Sequence, residues 1–442
     1  MLVLGFAETK RSPSSTEDAV KLQNRVIRYT LLFALAAIIS RPPRLVPTLA
    51  PQRTGRLERI GGMYVAYLQG NPYEMGLQQG ALLRSELRDL VQDYLYGRLV
   101  AEHGARHFWL LSQARLLDRD VPDQLRQEMQ GIADAAGLSY QEVLLLNTTP
   151  DLTALTRKTP SWGLFPALFS NTSQGVPAAR SSLCAAFAGW GDATADGELL
   201  VGHNLEGAES DLLQRYLALT VRQPSQGDAF VSLGLVGTVG VWAGMNAEKI
   251  TVALSSSPSV DVSARVQPLP FLLREVLEDG GNLTEAVNRL LSAERLYGGN
   301  VILGDGKAPQ GVALELSAHR HALFEADPGG DLVLRTNHFL DSELALAQQH
   351  VLSAQERAAS EARLERLQNA LESNRGWIGT DKALAFLESI GTSSSGTPGI
   401  DTLQSVLLNP GRLTIWIGQG NGGAGAASYV RLDFSSELLG HR

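Results

Sequence analysis

Cys184 is the only cysteine among the 442 residues, so the chain cannot form an internal disulfide bond. A thiol that loses its proton to a base can attack a carbonyl carbon, and the chemistry that follows is acyl transfer. A free cysteine is also among the most often buried residue types and then acts as a small hydrophobic residue. The residues that accompany Cys184 along the chain must decide between these two interpretations.

Acyl transfer needs a base for the nucleophile and hydrogen-bond donors for the tetrahedral oxyanion. Suitable residue types occur in a Gly-Asp turn, a His-Asn-Leu-Glu run, a turn after a strand, a Thr-Asn-His-Phe segment and a helical Ser-x-x-Arg segment. They are Asp192, His203, Glu206, Asn246, Asn337, His338, Ser360 and Arg363. Asn246 could point its amide at an oxyanion, and the i, i+3 spacing predicts that Ser360 and Arg363 share one helix face. Asp192 also suits an ordinary turn next to a glycine.

The sequence changes character along its length. Residues 57–183 are mostly helical in pattern, with apolar residues at helical spacing over residues 77–90. Residues 184–442 begin with short β-rich runs, continue with helical blocks and end with further strands. This order favours stacked sheets covered by helices over a βαβ repeat. We therefore expect an α+β fold.

Residues 1–56 are predicted to be a leader and a linker. Basic residues precede an apolar run over residues 31–39, which is shorter than the about 20 residues that span a bilayer. The pattern matches a secretory signal, so we expect export or a membrane tether through residues 29–40. A leader helix on a cytoplasmic protein is the alternative.

The composition argues against several classes of partner. The net charge of -8 argues against nucleic acid, because phosphate binding needs a basic face. His319 and His321 alternate on a strand without a third ligand nearby, so no metal site is expected. The glycine-rich residues 418–425 lack the Lys-Ser/Thr pair of a phosphate loop. We expect neither a metal nor another cofactor.

Five segments follow one another in an informative order, at residues 70–80, 128–138, 181–187, 244–249 and 336–339. This layout resembles the acyl-coenzyme A:6-aminopenicillanic acid acyltransferase family. Members are cysteine-dependent N-terminal-nucleophile (Ntn) hydrolases of the peptidase C45 type, which cut their own backbone just before a Cys. The resemblance implies a four-layer αββα sandwich over residues 184–442, with residues 57–183 as a helical pro-segment.

The resemblance also implies that the bond between Leu183 and Cys184 is cut. The family more often has Gly at the position of Leu183. The cut would free the α-amine of Cys184, with a pKa of about 7.7–8.0 against about 8.5 for the thiol. That amine could take the thiol proton directly or through one water. No His–Asp pair would then be required.

The matching segments suggest roles for the other candidates. Asn337 would donate to the oxyanion or hold the α-amine, with His338 packing or bridging beside it and Arg363 in support. Similar enzymes usually have Arg-Asn-x-Asp where this chain has His203 and Glu206, and there the two residues orient the amine and the substrate. Glu206 keeps the negative charge, whereas the charge of His203 depends on pH.

The sequence therefore predicts an autoproteolytic cysteine hydrolase or acyltransferase that acts on a small N-acyl amide or acyl thioester through an acyl-enzyme on Cys184. Three alternatives stay open. Choloylglycine and penicillin V acylases begin at the Cys without a long pro-segment, unlike this chain. A lipid amidase or phospholipase-B-like hydrolase is compatible with the apolar N-terminus. A non-enzymatic exported binding protein on the same fold is compatible with the changes at His203 and Glu206.

Overall fold

The computed structural model describes residues 55–102, 107–156, 184–207, 210–263, 266–391, 401–419 and 429–440. These residues belong to one compact unit, Pro51–Arg442. Most of the predicted leader, the predicted tether at residues 29–40 and Leu183 lie outside the described residues, so these expectations stay predictions. No helix in the described ranges is long and apolar enough to cross a membrane.

The strands, numbered along the chain, are β1 (Arg56–Ile60), β2 (Met63–Gly70), β3 (Ala185–Gly189), β4 (Leu200–Gly207), β5 (Leu217–Pro224), β6 (Phe230–Leu235), β7 (Ala243–Asn246), β8 (Ile250–Ser256), β9 (Gly299–Asp305), β10 (Gln310–Leu316), β11 (His321–Glu325), β12 (Leu332–Arg335), β13 (Asp401–Asn409), β14 (Thr414–Gln419) and β15 (Val430–Asp433). Within the described residues they form a nine-stranded sheet in the order β1-β2-β5-β6-β7-β8-β9-β10-β11 and a six-stranded sheet in the order β12-β3-β4-β13-β14-β15.

The helices are α1 (Pro72–Leu82), α2 (Arg84–Leu90), α3 (His107–Leu117), α4 (Asp123–Ala136), α5 (Tyr140–Thr156), α6 (Ser210–Leu213), α7 (Leu269–Asp279), α8 (Leu283–Ser292), α9 (Ser342–Gln348), α10 (Ala354–Ser373), α11 (Thr380–Ile390) and α12 (Ser435–Leu439). A π-helical stretch, Val91–Glu102, continues from α2. The described part of the predicted N-terminal block, residues 57–102 and 107–156, is thus mostly helical, as its pattern predicts.

Three apolar clusters define the layers. Side chains of both sheets, such as Val201 and Leu219, form a buried cluster between them. Helices α7 and α8 pack on the outer face of the nine-stranded sheet, and Leu273 belongs to that cluster. Helices α10 and α11 cover the outer face of the six-stranded sheet, where Leu387 meets Phe187 in a third cluster. The layer order is helix, sheet, sheet, helix, which confirms the predicted four-layer αββα fold.

Elements that precede Cys184 contribute to this sandwich. Strand β2 lies parallel to β5 in the nine-stranded sheet, with Tyr64 opposite Ala218. Buried charges add a second connection, since Glu128 of α4 pairs with Arg222 of β5 at 2.9 Å and with Arg274 of α7 at 2.6 Å. The division between residues 57–183 and 184–442 stays a prediction, but both parts contribute to one sheet and one ion cluster.

The two N-terminal motifs have physical explanations. Asn71 caps α1 by accepting from the Glu74 backbone N–H at 3.0 Å, and the Glu74 carboxylate accepts from the Asn71 backbone N–H at 2.9 Å. Gly76 of α1 and Gly131 of α4 lie where the two helices touch. A Cβ built on Gly131 would come within 2.3 Å of the Tyr73 carbonyl oxygen. The helices approach closely because these positions lack side chains.

We predict that Gly131→Ala lowers the free energy of unfolding by about 1–3 kcal/mol, because the added methyl group forces α1 and α4 apart. Chemical denaturation measures this change. Gly97→Ala is the matched control, since its Cβ would meet its nearest neighbour at 3.4 Å. Equal stabilities for the two variants would contradict the proposed close contact.

Candidate active site

Cys184 lies immediately before β3 and is 2% exposed. The antiparallel pairing of Ala185 with Asn204 sets the thiol beside the end of β4. Its Sγ atom is 3.9 Å from the backbone carbonyl oxygen of Glu206. The tertiary structure therefore brings Cys184 and Glu206 together, as a supporting role of Glu206 at the cysteine requires.

A buried ion pair lies next to the cysteine. Arg363 Nη1 is 3.0 Å from Glu206 Oε2, and both side chains are 0% exposed. The same Nη1 atom is 3.5 Å from the Cys184 carbonyl oxygen. Thr402 Oγ1 donates to the other Glu206 oxygen at 3.2 Å. Because each charge is met by a partner, the pair can persist in the protein interior.

Hydrogen bonds fix both the side chain and the backbone of Asn337. Its Oδ1 atom accepts from Arg363 Nη2 at 2.8 Å, and its Nδ2 atom donates to the Ser256 carbonyl oxygen at 2.7 Å. Its backbone N–H donates to Ser360 Oγ at 2.9 Å, and its carbonyl accepts from Gln348 at 3.0 Å. An amide nitrogen has two hydrogens. The second has no acceptor among the residues that the structure describes.

Helix α10 supplies Ser360 and Arg363 from one face. Both side chains are fully buried, whereas Glu361 and Glu365 of the same helix are exposed. The helix begins with a capping box between Ser353 and Glu356, which fixes its start two turns before Ser360. The i, i+3 spacing thus points both side chains at Thr336 and Asn337 instead of at solvent.

His338 packs behind Asn337. Its Nδ1 atom is 2.8 Å from Ser360 Oγ and 3.2 Å from Thr336 Oγ1. Burial, together with nearby arginines, lowers the pKa of His338 to about 4. The ring is therefore neutral at pH 7 and bridges two hydroxyl groups.

His203 faces away from Glu206. Its Nε2 atom is 2.9 Å from the Leu254 carbonyl oxygen of β8, so the ring points between the sheets, whereas the Glu206 side chain points to α10. A carbonyl oxygen only accepts, so Nε2 carries the hydrogen. Burial lowers the pKa of His203 to about 4. At neutral pH it therefore lacks the charge that an arginine would bring to this position.

The structure does not bring Asn246 to Cys184. Its Nδ2 atom donates to the carbonyl oxygens of Leu277 and Gly280 at 3.0 Å each, and its Oδ1 atom accepts from the Ile250 backbone N–H at 2.8 Å. Ile250 begins the seven-residue β8, and Ser256, next to Asn337, ends it. Seven residues of strand span about 20 Å. Asn246 joins β7 to α7, and the expected oxyanion role does not fit this position.

Asp192 also lies away from the thiol. It is exposed in the turn beyond the five-residue β3, at the end opposite Cys184. Its backbone N–H donates to Asp331 at 2.8 Å. The five steps from Cys184 to Gly189 span about 16 Å. The turn interpretation therefore fits Asp192 better than a site role.

Sequence reasoning missed three contributors to the site. Thr402 binds Glu206 from β13, and Gln348 binds the Asn337 backbone from α9. Ser256 contributes only its backbone carbonyl. A backbone group has no signature in the side-chain pattern, and single Thr or Gln residues far along the chain have no distinguishing spacing.

We predict that Arg363→Met lowers the free energy of unfolding by about 3–5 kcal/mol, because Glu206 is left charged and buried. Denaturant unfolding measures the loss. Arg357→Met on the same helix is the control, since Arg357 and Glu361 are 3.9 Å apart with side chains 28% and 53% exposed. An exposed pair is worth at most about 1 kcal/mol. Equal losses would argue against the buried pair.

We predict that stability falls as pH drops from 6.5 towards 4, because the unfolded chain then binds protons that folded His203 and His338 do not. Each histidine contributes about 1.4 kcal/mol per pH unit in this window. Unfolding free energies at several pH values should show one proton less in the slope for His203→Gln. His350→Gln, at an exposed position, is the control, and an unchanged slope for His203→Gln would refute the assignment.

The chain is similar to several known proteins. Among curated relatives, an uncharacterised protein of Archaeoglobus fulgidus is 29% identical over 347 residues, which cover 71% of this chain and 56% of that protein. Protein dcd1A of Dictyostelium discoideum is 26% identical over 319 residues, covering 63% of this chain and 65% of that protein. The chain thus spans between about half and two thirds of the length of these relatives.

Solved structures of an amidase and a hydrolase are also similar. A Caenorhabditis elegans ortholog of N-acylethanolamine-hydrolyzing acid amidase shares 17% identity with a TM-score of 0.39, covering 52% of this chain and 93% of that one. A variant of conjugated bile acid hydrolase from Clostridium perfringens shares 14% identity with a TM-score of 0.44, covering 58% of this chain and 94% of that one.

The family model for acyl-coenzyme A:6-aminopenicillanic acid acyl-transferase matches residues 193–421. This region is just over half of the chain and contains Glu206, Asn337 and Arg363, while Cys184 lies shortly before it. The chain belongs to the acyl-coenzyme A:6-aminopenicillanic acid acyl-transferase family.

Proposed function

We propose that this protein is a cysteine-dependent amide or thioester hydrolase, or acyltransferase, that acts on a small acyl substrate after scission between Leu183 and Cys184. Family membership supports the coarse activity. The finer assignment depends on one observation. Arg363 binds the Asn337 amide oxygen, the Glu206 carboxylate and the Cys184 carbonyl oxygen, and so orients the Asn337 amide. A carbonyl that reaches the Cys184 thiol would meet an amide donor already fixed in place.

Activation would begin on the intact chain. The Cys184 thiol attacks the Leu183 carbonyl carbon and gives up its proton, the peptide C–N bond breaks, and the nitrogen takes up that proton and leaves as the Cys184 amine. Water then hydrolyses the resulting thioester, which releases the Leu183 carboxylate and restores the thiol. The product carries nucleophile and base in one residue, and their pKa values of about 8.5 and 7.7–8.0 suit proton transfer between them.

Turnover would use the same atoms. The amine takes the thiol proton, Sγ bonds to the substrate carbonyl carbon, and the carbonyl oxygen becomes an oxyanion. The Asn337 N–H that has no acceptor among the described residues would stabilise that charge. The proton on the amine passes to the departing nitrogen or sulfur, which leaves an acyl thioester on Cys184. Water or an acceptor amine then attacks the thioester and frees the thiol.

The Asn337 amide is already oriented before charge develops on the substrate. Arg363 holds Oδ1, the Ser256 carbonyl holds one Nδ2 hydrogen, and Ser360 and Gln348 hold the backbone. The amide therefore need not reorient when charge develops, and a donor that costs no reorganisation contributes most to the rate. Arg363 also neutralises Glu206, which keeps a negative charge from opposing the oxyanion.

We predict that the purified wild-type protein contains a fragment beginning at Cys184, and that Cys184→Ala abolishes both this fragment and turnover. Intact-mass spectrometry detects the cut, and a panel of acyl amides, acyl-coenzyme A thioesters and lactams measures turnover. Cys184→Ser is the matched control, because a hydroxyl can still attack the Leu183 carbonyl, more slowly. An uncut wild-type chain that keeps its turnover after alkylation of the thiol would refute the proposal.

We predict that Asn337→Ala lowers kcat by about 100-fold to 1,000-fold, as loss of one oxyanion donor does elsewhere. Asn246→Ala is the control, because its amide holds α7 and not the site. It should reduce stability and leave kcat per folded molecule unchanged. Steady-state kinetics corrected for the folded fraction distinguish the two. Equal losses of kcat would contradict the assignment of Asn337.

A further inference from the structure

Another buried ion pair lies directly beside residues 335–341, the segment that contains Asn337. Glu315 is on β10 of the nine-stranded sheet, and Arg335 is the last residue of β12 in the six-stranded sheet. Glu315 Oε1 accepts from Arg335 Nε at 2.8 Å, with side chains 0% and 7% exposed. The Arg335 guanidinium also lies 4.1 Å from the centre of the Phe324 ring. The pair joins the two sheets where the chain leaves β12 for Asn337.

The same carboxylate holds the far end of this segment. Both Glu315 oxygens accept from the Leu340 backbone N–H at 2.9 Å, and Oε2 also accepts from the Asp341 N–H at 2.9 Å. One side chain thus binds residue 335 at one end and residues 340–341 at the other. Burial raises the pKa of Glu315, while Arg335 and the two backbone N–H groups oppose that rise.

The neighbouring strand holds the middle of the segment. Asn300 of β9 lies opposite Glu315 in the antiparallel register, and both are fully buried. Its Nδ2 atom donates to the carbonyl oxygens of Thr336 at 2.8 Å and His338 at 3.0 Å. Two adjacent side chains of one sheet therefore form hydrogen bonds with the backbone on both sides of Asn337.

We propose that Glu315 and its register partner Asn300 are positioning residues that set the Asn337 amide for reaction by fixing residues 335–341 at both ends and in the middle. This inference depends on the proposed function of Asn337. Neither residue touches the reacting atoms. Arg363, Ser360 and Gln348 bind Asn337 itself, whereas Glu315 and Asn300 fix the backbone from which it projects.

The test compares Glu315→Gln with Glu128→Gln, which removes an equally buried carboxylate from the cluster with Arg222 and Arg274. Both variants should lose stability. Hydrogen–deuterium exchange of peptides that cover residues 336–341 should accelerate at least tenfold for Glu315→Gln and stay unchanged for Glu128→Gln. Arg335→Lys keeps the positive charge but lacks the Nε–H group that donates to Glu315, and it serves if Glu315→Gln fails to fold.

Kinetics supply the second readout. On any substrate that the wild-type enzyme turns over, Glu315→Gln should lower kcat by about tenfold to 100-fold with KM within threefold, because a small displacement of a catalytic group is costly. Glu315→Asp should recover part of the loss. Unchanged exchange at residues 336–341, or faster exchange without a fall in kcat, would overturn the proposal. If the wild-type protein turns over no substrate, the proposed function fails, and the exchange data alone decide whether Glu315 holds the segment.

Discussion

The candidate site depends on one guanidinium group in the protein interior. Arg363 contacts the Glu206 carboxylate, the Asn337 amide oxygen and the Cys184 carbonyl oxygen, and it has no exposed surface. These partners come from β4, the segment after β12 and the residue before β3. A buried charge without partners would cost several kcal/mol. The geometry of the three segments is therefore tied to the position of one helix, α10.

The fold places buried ion pairs at its junctions. The cluster of Glu128, Arg222 and Arg274 joins the N-terminal helices to the nine-stranded sheet, and the pair of Glu315 and Arg335 joins the two sheets. Apolar contacts supply most of the burial but are not directional. Charge pairs need defined distances and angles. They fix the relative placement of layers that apolar packing alone would leave less defined.

His203 and Glu206, the two ends of the His-Asn-Leu-Glu run, lie in different environments. Successive strand residues point to opposite faces, and His203 and Glu206 are three residues apart. His203 is neutral and bonds to the neighbouring sheet, whereas Glu206 pairs with Arg363 under the helix layer. Glu206 thus supplies a negative charge at the site, and His203 links the two sheets. The positive charge next to the thiol comes from Arg363.

The sequence by itself was enough for the fold class, the family resemblance and the shared face of Ser360 and Arg363. These depend on local patterns: alternation, helical spacing and motifs of a few residues. Only the tertiary structure decided which candidates meet. Asn246 was a candidate donor like Asn337, and Asp192 was a secondary candidate that also suited an ordinary turn. Asn246 lies beside the start of β8 and Asp192 lies beyond the end of β3, whereas the opposite ends of these two strands are at the site. Strand length and register carry residues of similar type about 16–20 Å apart, and no local pattern records that separation. Thr402, Gln348 and the Ser256 carbonyl entered the site through long-range packing, as did Glu315, because their partners are fixed by sheet order and not by sequence spacing.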